Sequence, residues 1–184
     1  MKKNNEKRIA IIGSAGVGKT TLLYELKKKM KLNVIEEQAR IVCQKLGYKN
    51  IYEIKNPEYF RCLTLKSQIK TEEKCNNFIS DRSTIDCWVH WVRWSWGEAK
   101  TFETERYFKL AYNQALKYSH IIYIPRLIKP KDDGFRWNNR DYQNQIDRLI
   151  KETLVGWQLM TRTYIIKEKN EKLRTKEVLD YFKN

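Results

Sequence analysis

The sequence predicts an α/β fold: a three-layer α/β/α sandwich with a five-stranded parallel sheet at its centre. Three observations predict it. Five short apolar runs alternate with long stretches of helical periodicity. The first run is followed at once by Gly13-Ser14-Ala15-Gly16-Val17-Gly18-Lys19-Thr20, and a helical pattern follows that in turn. No internal repeat, low-complexity tract or Pro/Gly linker divides the 184 residues, so residues 1–184 are expected to form one domain.

The elements follow in order. Arg8–Ser14 carries Ile9, Ala10, Ile11 and Ile12 and reads as a buried strand. A helix over residues 19–30 puts Leu22, Leu23 and Leu26 on one side. Strands are expected at Asn33–Glu37, Asn77–Asp81, His120–Pro125 and Thr163–Lys167. Helices are expected near residues 38–47, 57–75, 84–96, 101–118, 140–158 and 171–182. The segment 126–141 mixes Pro, Gly, Lys and Arg between a strand and a helix and reads as a lid.

Composition bounds the rest. With 41% apolar residues the chain can bury a real core, and no run approaches the roughly 20 apolar residues of a membrane span. The N-terminal Met1–Lys7 is basic but leads into a strand, so we expect a cytoplasmic protein without membrane association. Cys43, Cys62, Cys75 and Cys87 form no C-x-x-C pair, and His90 and His120 add no ligand pattern, which argues against zinc and against a disulfide framework. The formal net charge is +15, from 37 Lys and Arg against 22 Asp and Glu. That favours polyanionic partners, nucleotides first and nucleic acid as an option, or it marks a lysine-rich solvated surface. The oligomeric state is open, with a homodimer among the options.

Gly13 to Thr20 is G-x-x-x-x-G-K-T, the phosphate loop of a P-loop NTPase architecture. Backbone N–H groups of residues 13–20 would surround the phosphates of ATP, Lys19 would reach the β- and γ-phosphates, and the Thr20 hydroxyl would ligate Mg²⁺. In a parallel sheet ligands sit beyond the carboxyl ends of the strands. Each strand here ends in charge. Glu36-Glu37-Gln38-Ala39-Arg40 follows the second strand and Asp81-Arg82-Ser83 closes the third; Arg126, Lys129, Lys131, Asp132, Asp133, Arg136 and Arg140 follow the fourth.

Asp81 is the candidate second partner of the metal, or the base; Ser83 is free to cap the next helix in its place. Glu37 and Arg40 share a helix face, either as a surface ion pair or as a substrate pair, with Glu36 as the alternative to Glu37. Arg126, Arg136 and Arg140 are candidates for contacting the transferring phosphoryl group. Trp88, Trp91, Trp94 and Trp96 follow Asp86; most of them read as core, but a ring in the first turn, Trp88, is a candidate for stacking on an acceptor base.

Together these motifs resemble the nucleoside and nucleotide kinase branch of the phosphate-loop proteins. Within it they look like the AAA_28-type ATPase/kinase family, which includes ribosylnicotinamide kinase domains. The resemblance rests on Gly13–Thr20, on Glu37 with Ala39-Arg40, on Asp81-Arg82-Ser83-Thr84-Ile85-Asp86, on Asp133-Gly134-Phe135-Arg136 and on Ile146-Asp147. It implies a nucleotide-kinase-like enzyme that moves the γ-phosphoryl of ATP to a hydroxyl or phosphate of a nucleoside, nucleotide or related riboside. It further implies that Asp81 is catalytic or metal-associated, that Arg82 contacts acceptor or phosphate, that Arg136 and Arg140 belong to the lid, and that Asp86 either binds the acceptor or ties down its own helix. The high positive charge departs from small-molecule kinases of this kind and keeps a nucleic-acid acceptor open; a P-loop ATPase switch is the third reading.

Overall fold

The computed structural model describes residues 6–127 and 139–183. Five strands, β1 (Arg8–Ile12), β2 (Asn33–Ile35), β3 (Phe78–Asp81), β4 (His120–Tyr123) and β5 (Thr163–Ile165), pair in the order β2-β3-β1-β4-β5, every pair parallel. Among the described residues seven α-helices connect them: α1 (Lys19–Lys29), α2 (Gln38–Lys45), α3 (Pro57–Glu73), α4 (Thr84–Trp94), α5 (Thr101–Ala115), α6 (Arg140–Gly156) and α7 (Glu171–Tyr181). The expected elements are all present. Most strands stop one or two residues short of their expected ends, because the chain leaves the sheet early to build loops. Glu37, expected as the last residue of a strand, instead caps the start of α2.

Alternation along the buried strands makes the three layers. In β1, Ala10 and Ile12 join a core with Phe78, Ile121 and the apolar faces of α4, α5 and α6. Ile9 and Ile11 point the other way, into a second core with Ile79, Ile122, Leu22, Leu23, Leu26 and Val178 from α1 and α7. A parallel sheet buried on both faces needs such near-continuous apolar strands.

Strand order reverses at β1. The chain winds from β1 outward to β2 on one side and later to β4 and β5 on the other. The carboxyl ends of β1 and β3 therefore meet at the switch point where a ligand crevice forms.

The helix caps sort structural from functional residues. Ser83 caps α4: its Oγ accepts from the N–H groups of Ile85 and Asp86 at 3.1 and 3.3 Å. Asn139 and Asn170 cap α6 and α7 in the same way. Helices α1, α2 and α5 have no side-chain cap, and of these only α1 is entered from a glycine-rich turn. Its cap is Gly18 and no side chain accepts from its first turn, so its N–H groups stay available to an anion. Three lysines, Lys27 to Lys29, sit in its last turn and complement the dipole at the far end. Among the described residues no helix is long and apolar enough to cross a membrane.

Candidate active site

The loop from Gly13 to Thr20 runs out of β1 and into α1. Gly13 has φ 149° and lies so close to β4 that a Cβ there would meet the Ile124 carbonyl oxygen at 2.5 Å. Both the dihedral and the space exclude a side chain. We expect Gly13→Ala to displace the loop and weaken ATP binding by roughly tenfold or more; a titration of ATP into the variant measures it, and wild-type affinity would contradict the geometry.

Lys19 is buried and folds back over the loop, its Nζ donating to the Ser14 carbonyl at 2.6 Å. Two side chains from elsewhere hold the loop from beneath. Gln143 of α6 donates to the Ala15 carbonyl at 2.8 Å. Arg174 of α7 donates to the Val17 carbonyl at 2.6 Å and also binds the Glu168 and Lys169 carbonyls. Neither was visible in the sequence, since 128 and 157 residues separate the partners.

The Thr20 hydroxyl donates to Asp81 Oδ2 across 61 residues of sequence. The other Asp81 oxygen, Oδ1, is buried and finds no hydrogen-bond partner among the described residues, and neither does Ser14 Oγ in the loop. A carboxylate oxygen without a donor, beside a hydroxyl and the phosphate loop, suits a hard divalent cation that takes oxygen ligands. The residues present therefore fit Mg²⁺, with Thr20 and Asp81 as the protein side of its shell.

Arg82 is the hinge of the site. It follows β3 with φ 79°, a left-handed conformation rare for a residue with a side chain. Its N–H is held by the Ile11 carbonyl at 3.0 Å. Its guanidinium is buried and spreads over three partners: Glu37 Oε1 at 3.1 Å, the Gly13 carbonyl at 3.1 Å and Asp86 Oδ1 at 3.2 Å. Burial alone would loosen its proton, but the carboxylates of Glu37, Asp86 and Asp81 outweigh that and hold it charged. Burial pushes the Asp86 carboxyl up, and Arg82 and Lys19 pull it back. Strained backbone held by so many contacts is typical of functional turns.

Beyond Arg82 opens a cavity of about 380 Å³. Glu37, Arg82 and Asp86 line the side next to the phosphate loop. Phe60, Trp94, Tyr107 and Tyr142 line it with rings, and Arg61, Gln68 and His90 supply further polar groups. His90 Nδ1 lies 3.2 Å from the Tyr142 hydroxyl. The cavity and the phosphate loop thus share one wall, made by Arg82.

The candidates from the sequence divide accordingly. Gly13 to Thr20, Asp81, Arg82, Glu37 and Asp86 come together. Glu36 does not: it is exposed and accepts from the Tyr24 hydroxyl at 2.8 Å, so Glu37 is the one that faces the cavity. Arg40 lies 3.8 Å from Glu37, with 41% of its side chain exposed, and takes no part in the cavity lining. Trp88, expected to stack on an acceptor, does not line the cavity. It packs in the core against Trp96, Phe108 and Trp157, at ring distances of 5.9, 5.2 and 6.2 Å. Successive helical residues turn about 100°, so Trp88 points roughly 200° away from Asp86, while His90 and Trp94 at one and two turns share its face. Arg82, expected on acceptor or phosphate, is first a tie between Glu37, Asp86 and the loop. Arg126 is half-buried just past β4, and Arg140 is exposed at the start of α6. Arg136 and most of the expected lid lie outside the described residues.

The model of the AAA_28 family, described as an AAA domain, matches residues 8–171. The chain belongs to this family. No curated protein matches the sequence. Among solved structures, the NadR protein in complex with NR superposes with a TM-score of 0.78 at 18% identity, over 97% of this chain and 51% of that one. The chain thus spans about half the length of that protein. Deoxyadenosine kinase from M. mycoides follows, with a TM-score of 0.68, 16% identity, and coverage of 95% and 98%. Thymidylate kinase from Candida albicans gives 0.69 at 12% identity, with coverage of 95% and 90%. At these identities the likeness establishes a shared P-loop kinase fold.

Proposed function

We propose that this protein is an ATP-dependent phosphotransferase that moves the γ-phosphoryl group to a hydroxyl of a nucleoside or related riboside. One observation carries the reading: Arg82 touches the phosphate loop through the Gly13 carbonyl and the acceptor cavity through Glu37 and Asp86. Donor and acceptor would then meet at one side chain. The ring-lined walls suit a flat heterocycle, and the carboxylates of Glu37 and Asp86 with the Arg82 guanidinium at the other end suit sugar hydroxyls. Relatives of the same fold include proteins named as kinases of deoxyadenosine and thymidylate.

In the proposed step the acceptor O–H loses its proton to the Glu37 carboxylate as its oxygen bonds to the γ-phosphorus. The bond from that phosphorus to the β,γ-bridging oxygen breaks, and ADP leaves. Lys19 and the N–H groups at the start of α1 hold the charge on the β- and γ-phosphates. Thr20 and Asp81 hold Mg²⁺, which when bound neutralises phosphate charge. Arg82 orients Glu37, and Asp86 keeps Arg82 in place.

Incubation with γ-labelled ATP, Mg²⁺ and a panel of ribosides, nucleotides and oligonucleotides tests this. Label on a riboside hydroxyl is the expected result. Label on oligonucleotide ends alone, or steady ATP hydrolysis with no labelled acceptor, would overturn it.

A further inference from the structure

One wall of the acceptor cavity is organised from the opposite side to Arg82. Gln68, in the middle of α3, lines the cavity but is 1% exposed. Both protons of its amide are engaged inside the protein. Nε2 donates to Glu72 Oε1 at 2.7 Å and to Ser80 Oγ at 2.9 Å. Its carbonyl oxygen, Oε1, accepts no hydrogen bond among the described residues.

Glu72 dictates this orientation. Its carboxyl group is fully buried; no ion pair within contact distance is formed with it among the described residues, although the charge of Arg8 acts on it. Besides Gln68 it accepts from the Tyr118 hydroxyl at 2.7 Å and from Gln114 Nε2 at 2.7 Å. Three donors therefore converge on this group, Gln68 and Tyr118 on Oε1 and Gln114 on Oε2, and its oxygens serve as the acceptors of all three; burial raises its pKa. Glu72 Oε1 already accepts from the Tyr118 hydroxyl, so a flipped Gln68 amide would set its carbonyl oxygen against an oxygen acting as an acceptor, two acceptors face to face in a dry interior. Tyr118 adds a second brace. Its hydroxyl accepts from the Thr84 N–H at 2.9 Å, so the same carboxyl group is tied to both ends of the Ser80–Thr84 segment that carries Asp81 and Arg82. The amide therefore cannot turn, and the group it can offer a ligand is an acceptor.

The ring walls of the cavity grip any flat heterocycle without regard to its edge. Selection by the edge falls to the polar groups. We propose that Glu72 is a positioning residue that locks Gln68 with its carbonyl oxygen toward the ligand, so that the cavity selects ribosides whose ring carries an N–H donor, such as an exocyclic amino group, over rings of the same shape without one. This rests on the riboside-acceptor reading above. A ring with no donor leaves the Gln68 oxygen desolvated and unpaired, and a site built to hydrogen-bond rejects such analogues strongly.

Two matched pairs test it by calorimetric titration: adenosine against purine riboside, and cytidine against pyrimidin-2-one riboside. The second member of each pair lacks only the amino group. The wild-type protein is expected to bind the amino member of at least one pair about tenfold more tightly or better. Glu72→Gln replaces an acceptor oxygen by a donor and frees Gln68 to turn, so the preference disappears while the aromatic grip remains. Gln68→Met removes the reading group itself and is expected to lose the preference too; it decides the matter should Glu72→Gln fail to fold. Equal affinities within both pairs in the wild type overturn the proposal, as does a preference that survives in Gln68→Met. Transfer of label from ATP is followed in the same samples. Amino preference without transfer overturns the kinase reading alone, transfer without preference overturns the lock alone, and binding of no riboside overturns both.

Discussion

Glu37→Gln is expected to lower kcat for phosphoryl transfer by roughly 10²- to 10⁴-fold, the usual contribution of a positioned general base. KM for both substrates should change little. The variant keeps an oxygen for the Arg82 Nε bond, 3.1 Å in the native protein, so the wall of the cavity survives. What it loses is the capacity to take a proton. Glu36→Gln serves as the control. That residue is exposed and bonded to Tyr24, so its substitution should leave turnover unchanged. Steady-state kinetics of the two variants side by side make the comparison. A larger loss at position 36 would mean that Glu36, not Glu37, faces the acceptor.

Arg82→Met is expected to destabilise the fold and abolish transfer. The guanidinium neutralises Glu37 and Asp86, and Asp86 is 2% exposed. Removing one partner of a buried ion pair leaves an uncompensated charge and typically costs about 3–5 kcal/mol. For a chain of this size that lowers Tm by roughly 10 °C. The Gly13 carbonyl also loses its donor, which slackens the phosphate loop. Arg82→Lys restores one charge but not the fork that reaches three acceptors, and should fall between the two. Thermal denaturation followed by circular dichroism measures the effect. A Tm within 2 °C of wild type, a difference of roughly one kcal/mol or less, would show that the triad carries no such energy.

The phosphate loop was legible in the sequence because its chemistry is local. Eight consecutive residues between a strand and a helix make an anion site by themselves. The parallel sheet was legible from the apolar runs, and the rule that ligands collect at strand ends led to Asp81, Arg82 and Glu37. Resolution failed at single-residue scale. Glu36 and Glu37 differ by one step, and one step reverses which side a chain leaving a strand presents. Trp88 failed for the same reason on a helix: it opens near the site, but its direction is set by a rotation that periodicity alone had assigned to core. Gln68, Glu72, Gln143 and Arg174 were not legible at all. Each is an ordinary polar residue on a helix, and its role exists only where distant segments close upon it, as Arg174 does on Val17. Buried glutamines and glutamates on predicted core faces are the one signal that would have pointed to them, because such groups are buried only with partners.

We propose that the loop entering α1 grips a triphosphate, with Lys19 completing the grip. Calorimetric titration of ATP with Mg²⁺ into wild-type protein and into Lys19→Ala tests it most directly. Binding to the wild type is expected, with a loss of roughly ten- to hundredfold in the variant and its thermal stability retained. A folded Lys19→Ala that binds ATP as the wild type does would contradict it.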